Sequence, residues 1–253
     1  MKHFRYLIIV LTFTGLFFIF PGLSSQETPI PIEQTYNEVQ SMYGENQVFI
    51  NGIHFDNIYL NDKGIPFFQS EDYQSGYLVL HNKKYTDLLL KYNIYNQKLV
   101  VKYPTLKGDP LVFMPPTDFI SEFSLNGLVF RQYTFPESPA KFFQVVFDGE
   151  LKCLYEWHKD RDESTHNNTY MAYEFREAKH KSYLVIDNKL HNYISKASFM
   201  KLFPEENKKN ISSFMKENKI NLRNSPDQKI AELIAYCVSI LKISPTAKLA
   251  EKE

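Results

Sequence analysis

Glycine is scarce in this chain: there are nine among 253 residues, and none falls in a phosphate-cradling GxxxxGK[ST] or a dinucleotide-binding GxGxxG pattern. The sequence also has no GxSxG nucleophile elbow, no HExxH and no CxxC. A catalytic group dispersed along the chain leaves no local mark, so these absences remove the locally signed activities and not catalysis as such. Charge excess is missing too, because 29 basic side chains balance 29 acidic ones. A nucleic-acid binder carries a clear basic surplus, which excludes that class of partner. The one local surplus, Lys201, Lys208, Lys209, Lys216, Lys219 and Arg223, reads as a solvated helix face.

Another gap is positional. No Lys or Arg occurs between Arg5 and Lys63, whereas Glu27, Glu33, Glu38, Glu45, Asp56 and Asp62 all fall there. Ahead of the gap stand Lys2 and Arg5, then an uncharged run at 6–20 (YLIIVLTFTGLFFIF), Pro21 and the small pair Ser24 and Ser25. A basic tip, an apolar stretch and a small-residue end are the three parts of a secretory signal, and positive charge before the run with none behind it favours moving the remainder across a membrane. Residues 1–25 are therefore expected to be a signal peptide cut near Ser24 or Ser25. Retention as an anchor stays open, since a span needs about 20 apolar residues and this run approaches that. No Cys follows the run to take a lipid. The expected location is exported: periplasm, outer surface or secreted. Without its leader the chain has 27 basic and 29 acidic residues, a net charge of minus two.

What is present is strand grammar. In 87–95 (DLLLKYNIY), Leu88, Leu90, Tyr92 and Ile94 alternate with Lys91 and Asn93, which predicts one buried and one wet face. Leu99, Val101 and Tyr103 repeat the pattern against Lys98 and Lys102, as a neighbouring strand would. Asn51 with Gly52, Asn126 with Gly127, and Asp148 with Gly149 read as two-residue hairpin turns, with weaker breaks at 62–64, at Asn82 and Lys83, and at Asn188 and Lys189. No long helical period interrupts 47–193, which disfavours helix-crossover topologies. The fold class expected is α+β, mainly antiparallel β, a meander forming a barrel-like or two-layer sheet, followed by C-terminal helices.

Residues 26–45 read as an N-terminal connector with a short helix, 46–195 as the antiparallel β domain, 196–245 as helices packed on it, and 246–253 as a disordered tail. Ser225, Pro226 and Gln228 mark a helix start as N-cap, first-turn proline and capping-box acceptor. Beyond them Ile230, Leu233, Ile234, Cys237, Ile240 and Leu241 outweigh a narrow polar stripe, so the last helix must be covered, by the sheet or by a partner.

The segments VFINGIHF, GIPFF, KKYTDLLLKYNIYNQKLVV, FFQVVFDGELKCLYEWHK and FMKENKINL, followed by the apolar terminal helix, resemble an uncharacterised family of exported bacterial (Bacteroidota-type) proteins of unknown function. The resemblance spans nearly the whole mature chain and implies export and one continuous domain. It carries no activity and no site residues. The chain departs from the family pattern at Ile65, where the pattern has a His before the proline.

Two features could carry chemistry. Cys153 and Cys237 can form a disulfide in an oxidising compartment, closing a loop of 84 residues worth about 4–5 kcal/mol in the entropy model; two separate buried thiols are the other reading. The stretch 157–166 (WHKDRDESTH) sets His158 and His166 beside Asp160, Asp162 and Glu163. It echoes a calcium loop but has Thr165 where glycine is required and Met171 where a bidentate glutamate is required, so it reads as a charged hairpin loop. Trp157 continues the alternation of Leu151, Cys153 and Tyr155 and reads as core. No catalytic, cofactor-binding or metal residue is assigned and no cofactor is expected. The function expected is a non-catalytic binding or scaffolding module of the bacterial cell envelope, touching a membrane only through its leader, with an envelope protein or a glycan as ligand. The alternative is an exported hydrolase with a dispersed site recruiting His158, His166 and nearby carboxylates.

Overall fold

A computed structural model of the chain describes residues 52–103, 109–136, 138–164 and 172–243. The leader, the connector with its short helix, the tail, Asn51 and His166 lie outside the described residues. Eleven strands form one antiparallel sheet: β1 (Ile53–His54), β2 (Gln74–Leu80), β3 (Lys83–Asn93), β4 (Lys98–Tyr103), β5 (Leu111–Met114), β6 (Ile120–Leu125), β7 (Leu128–Phe135), β8 (Ser138–Asp148), β9 (Lys152–His158), β12 (Lys179–Ile186) and β13 (Lys189–Tyr193). Between β9 and β12 the chain makes a separate two-stranded ribbon, β10 (Arg161–Ser164) with β11 (Ala172–Phe175). Three helices follow: α1 (Lys196–Met200), α2 (Glu205–Glu217) and α3 (Asp227–Ile243).

The sheet order is β1-β5-β4-β3-β2-β6-β7-β8-β9-β12-β13, so β1 and β13 are its two edges and it is not closed into a barrel. It is nevertheless curled. Strands β5 and β6 lie four strand steps apart, about 19 Å in a flat sheet. Only five residues join them, three of which form a 3-10 turn, Thr117–Phe119. A link shortened by that turn reaches about 17 Å at most, so β5 and β6 must bend towards each other. Inside the bend lies the first core cluster, with Phe68, Leu78, Leu90, Tyr92, Phe123 and Phe130 each no more than 1% exposed.

The alternation in β3 holds on one face: Leu88, Leu90, Tyr92 and Ile94 are buried. It fails at Asn93, which is buried too, because its side-chain oxygen accepts the N–H groups of Tyr95 and Asn96 (3.1 Å each) and builds the turn into β4. The Asn126–Gly127 turn joins β6 to β7 as expected, with φ of 46° and 84°. The breaks near Asn82 and Asn188 shift by one residue, because the left-handed pairs are His81–Asn82 (49°, 62°) and Asp187–Asn188 (49°, 58°). The turn expected at Asn51 and Gly52 lies partly outside the described residues. One expected two-residue turn fails: Asp148–Gly149 opens a three-residue link in which the Gly149 N–H donates to the Leu151 carbonyl (3.2 Å).

The helices cover the face of the sheet that carries Cys153, Tyr155 and Leu184. Helix α3 contributes Ile230, Leu233, Ile234 and Cys237 at the spacing of one helix face, and all four are buried. Phe214 of α2 stacks on Tyr236 of α3 with centroids 4.1 Å apart. The start of α3 differs from its sequence signal: the Ser225 hydroxyl accepts the Asn221 N–H of the preceding turn (2.8 Å), and the Pro226 carbonyl accepts the Ile230 N–H (3.3 Å). Cys153 and Cys237 lie in the same apolar cluster, and both are buried free thiols. Burial pushes each thiol up to about 12, so neither is a ready nucleophile.

Candidate functional site

Of the group around His158, His166 lies outside the described residues. Two of its carboxylates are matched to cations: Asp160 to Lys179 (3.2 Å) and Asp162 to Arg176 (2.7 Å). Arg161 donates twice to Asp62 (2.8 and 3.1 Å) and lies 4.0 Å from the Tyr173 ring centroid, with Tyr59 and Phe175 beyond. With Lys63 on Glu174 (3.0 Å), these contacts clip the segment after β1 to the β10–β11 ribbon. Among the described residues, no three His, Cys, Asp or Glu side chains come close enough to hold a metal.

A cleft of ≈ 390 Å³ lies elsewhere, where two neighbouring strands end out of step. β12 pairs with β9 from Lys179 onward, but with β13 only from Ser182, which faces Tyr193. Among the described residues, 179–181 thus have a strand on one side and none on the other. The chain leaves β13 because Ser195 caps α1: its side chain accepts the Ser198 N–H while the Ser198 side chain bonds back to the Ser195 N–H. Leu222 and Arg223, from the turn before α3, form the opposite wall, and Arg223 Nε donates to the Ile194 carbonyl (3.2 Å).

A partly buried polar chain runs between the sheet and α3 near His180. Trp157 Nε1 donates to Gln144 Oε1 (2.7 Å), and Gln144 Nε2 donates to Asp227 (2.5 Å) in the first turn of α3, where a carboxylate is favoured by the helix dipole. Gln144 is 2% exposed, so both of its partners are needed. The His180 ring stacks on Tyr155 (4.2 Å, 21°) and lies 4.6 Å from Trp157. The Tyr193 hydroxyl meets the Cys153 sulfur at 3.3 Å. Lys179, Lys181 and Arg223 line the cleft, and among the described residues no carboxylate does.

Burial holds the His180 imidazole below its ordinary 6.5; the Asp227 charge opposes this and His158 adds to it. An unfolded chain therefore binds a proton near 6.5 while the folded chain does not, so stability present above that value is lost as pH falls toward the folded pKa. Glu122, Glu156 and Asp148 also titrate low. Burial pushes Glu156 up, but hydrogen bonds from Lys141 and Tyr183 outweigh it. Glu122 follows the same balance with Tyr77 and Arg131. In Asp148 the hydrogen bonds from Lys152 and Arg131 lead, and burial opposes them. Their contribution disappears at lower pH than that of His180. Urea midpoints should fall between about pH 7 and pH 5, and His180→Phe should flatten that portion while leaving the steeper loss below about pH 4.5.

The sequence signal for this site was available in β12. In KHKSYLVI the helix-facing positions read His180, Ser182, Leu184, so two polar residues interrupt an otherwise apolar inner face. Gln144, Asp227 and Arg223 carry no comparable mark. Taken as a class, the protein is an open antiparallel sheet backed on one face by C-terminal helices, with its cleft at the sheet edge. No family model, curated protein or solved structure matches the chain.

Proposed function

We propose that the chain is an exported, non-catalytic binding module of the bacterial cell envelope and that the cleft beside β13 is its recognition site. The observation that carries this reading is the cleft itself: an open strand edge, lined by Lys179, Lys181 and Arg223 with no carboxylate among the described residues of the lining, on a chain whose total charge is zero. The raised Cys153 and Cys237 thiols and the cation-matched carboxylates near His158 favour binding over catalysis. Export is supported by the Lys2 and Arg5 tip, the apolar run behind it and the basic-free stretch to Lys63. Membership of the exported family suggested by the sequence belongs to the same proposal.

Two measurements test it together. In fractionated cells the protein should be found outside the cytoplasm with a mature N-terminus near Ser24 or Ser25. A photo-crosslinker placed at Ile194, which is 68% exposed at the rim of the cleft, should give a discrete adduct with an envelope component. A soluble, unprocessed cytoplasmic product would overturn export, and a processed protein without any adduct from Ile194 would overturn the cleft as the recognition site.

A further inference from the structure

We propose that the open edge of β12 at residues 179–181 receives an extended acidic peptide segment of another protein as an added strand, in line with β13; this deepens the binding-module reading and rests on it. Strand addition needs unpaired backbone, room beside it and walls suited to alternate side chains. β12 offers the first over the three residues that precede its pairing with β13. The ≈ 390 Å³ left where the chain turns into α1 offers the second.

The walls set the chemistry. Successive side chains of a strand point to opposite faces, so an added segment presents alternate residues to the helix side and to the outer side. On the helix side it meets His180, Ile194 and Leu222, which suit small apolar groups. His180 stays neutral there because burial disfavours its charge. On the outer side it runs past Lys179 and Lys181, with Arg223 adding a third positive charge at the mouth. The carboxylates in reach are already occupied. Glu156 sits between Lys141 (2.7 Å) and Tyr183 (2.9 Å), and Asp227 is held by Gln144. Asp160 holds Lys179 in a pair exposed at both ends, 51% and 61%, which an incoming carboxylate can replace at little cost. A basic segment would face Lys181 and Arg223, with the Lys179 charge already paired to Asp160. The occupant is therefore a peptide alternating acidic with small apolar residues.

Trp157 is the only tryptophan of the chain and lies 4.6 Å from His180, so its fluorescence reports on the cleft. The chain as recovered from cells is titrated with four probes: an end-blocked peptide of alternating Glu and Val, its Lys–Val counterpart, the Glu–Val peptide N-methylated at alternate amides, and inorganic phosphate. The Glu–Val peptide should give a saturable change, and the Lys–Val and N-methylated peptides should bind about tenfold more weakly or worse. Lys181→Glu and Arg223→Glu should each weaken the Glu–Val peptide by about tenfold. Both side chains are exposed, so an unchanged melting temperature confirms that the variants fold. Equal binding of the N-methylated peptide, or the same response to phosphate, would reduce the site to an anion pocket and sink strand addition. Equal binding of Lys–Val would sink the charge argument. If no probe alters the fluorescence while the Ile194 adduct persists, the peptide proposal falls and the cleft keeps its recognition role; loss of both removes the binding-module reading as well.

Discussion

Gly76→Ala should cost this protein more than any other single methyl group, lowering its stability by about 3 kcal/mol or more, enough to deplete the folded chain in cells. An alanine Cβ at that position would stand 1.9 Å from the carbonyl oxygen of Ser124 and 3.3 Å from a methyl of Leu90. The crowding has a structural origin. Before Leu78 the ladder between β2 and β6 gives way to irregular bonds, in which the Tyr77 N–H donates to the Ser124 hydroxyl (3.1 Å) and the Asn126 N–H to the Ser75 carbonyl (2.9 Å). β6 therefore passes directly over the glycine. On its other side, β2 and β3 shift register between Gly76 and Leu78, with Asp87 at a φ of 57°. The obstacle is backbone and not a flexible side chain, so relief means moving β6 with the fully buried Phe123 and Leu125. Thermal melts would show a loss of about 6–12 °C for a chain of this size. Gly127→Ala is the control: nothing lies within 4 Å of its Cβ, so only its φ of 84° opposes the change, at about 1 kcal/mol. Equal effects of the two variants would refute the crowding argument.

Phe130→Ala should be comparably damaging, at about 3–5 kcal/mol. Phe130 is fully buried at the centre of the curled half of the sheet. It stacks on Phe123 (5.0 Å, 4° between planes) and takes edge contacts with Phe68 (5.2 Å) and Tyr92 (5.3 Å). Truncation removes apolar burial and those ring contacts together, and the bend imposed by the short β5–β6 link limits how far the walls can close on the void. Chemical denaturation of Phe130→Ala and Phe130→Leu should show the alanine variant clearly the weaker. Leu89→Ala, at a position 40% exposed, should stay within about 0.5 kcal/mol of the parent. Similar losses at Phe130 and Leu89 would mean that the ring cluster is not the centre of the core.

The inward residues of β3 and β4 were legible because period-two alternation is a local property of the strand, and Asn126–Gly127 because that pair is suited to consecutive left-handed residues. His81–Asn82 and Asp187–Asn188 make the same turn without glycine, and the Asp148–Gly149 signal was absorbed into a longer link. Ser225 resembles a helix cap, yet its hydroxyl closes the turn before the helix. The cleft was illegible for a different reason: it exists because β13 stops short of the start of β12, and its walls come from residues far apart in the chain. Nothing local to His180 or Arg223 states that relation. The charged stretch after Trp157 stands out by its composition, while its role in the fold is to fasten one segment to a ribbon through Arg161 and Asp62.

Trp157 belongs to neither half of the molecule alone. It packs against the cluster inside the curled strands and against the cluster beneath the helices, and its indole N–H reaches α3 through Gln144 and Asp227. A partial opening that detached the last helix would leave that indole without its hydrogen-bond chain and would also loosen the packing around Phe68, 5.0 Å away. The terminal helix is thereby bound into the same cooperative unit as the first strands, and trimming the C-terminus back past Asp227 would undermine residues that enter the fold more than a hundred positions earlier.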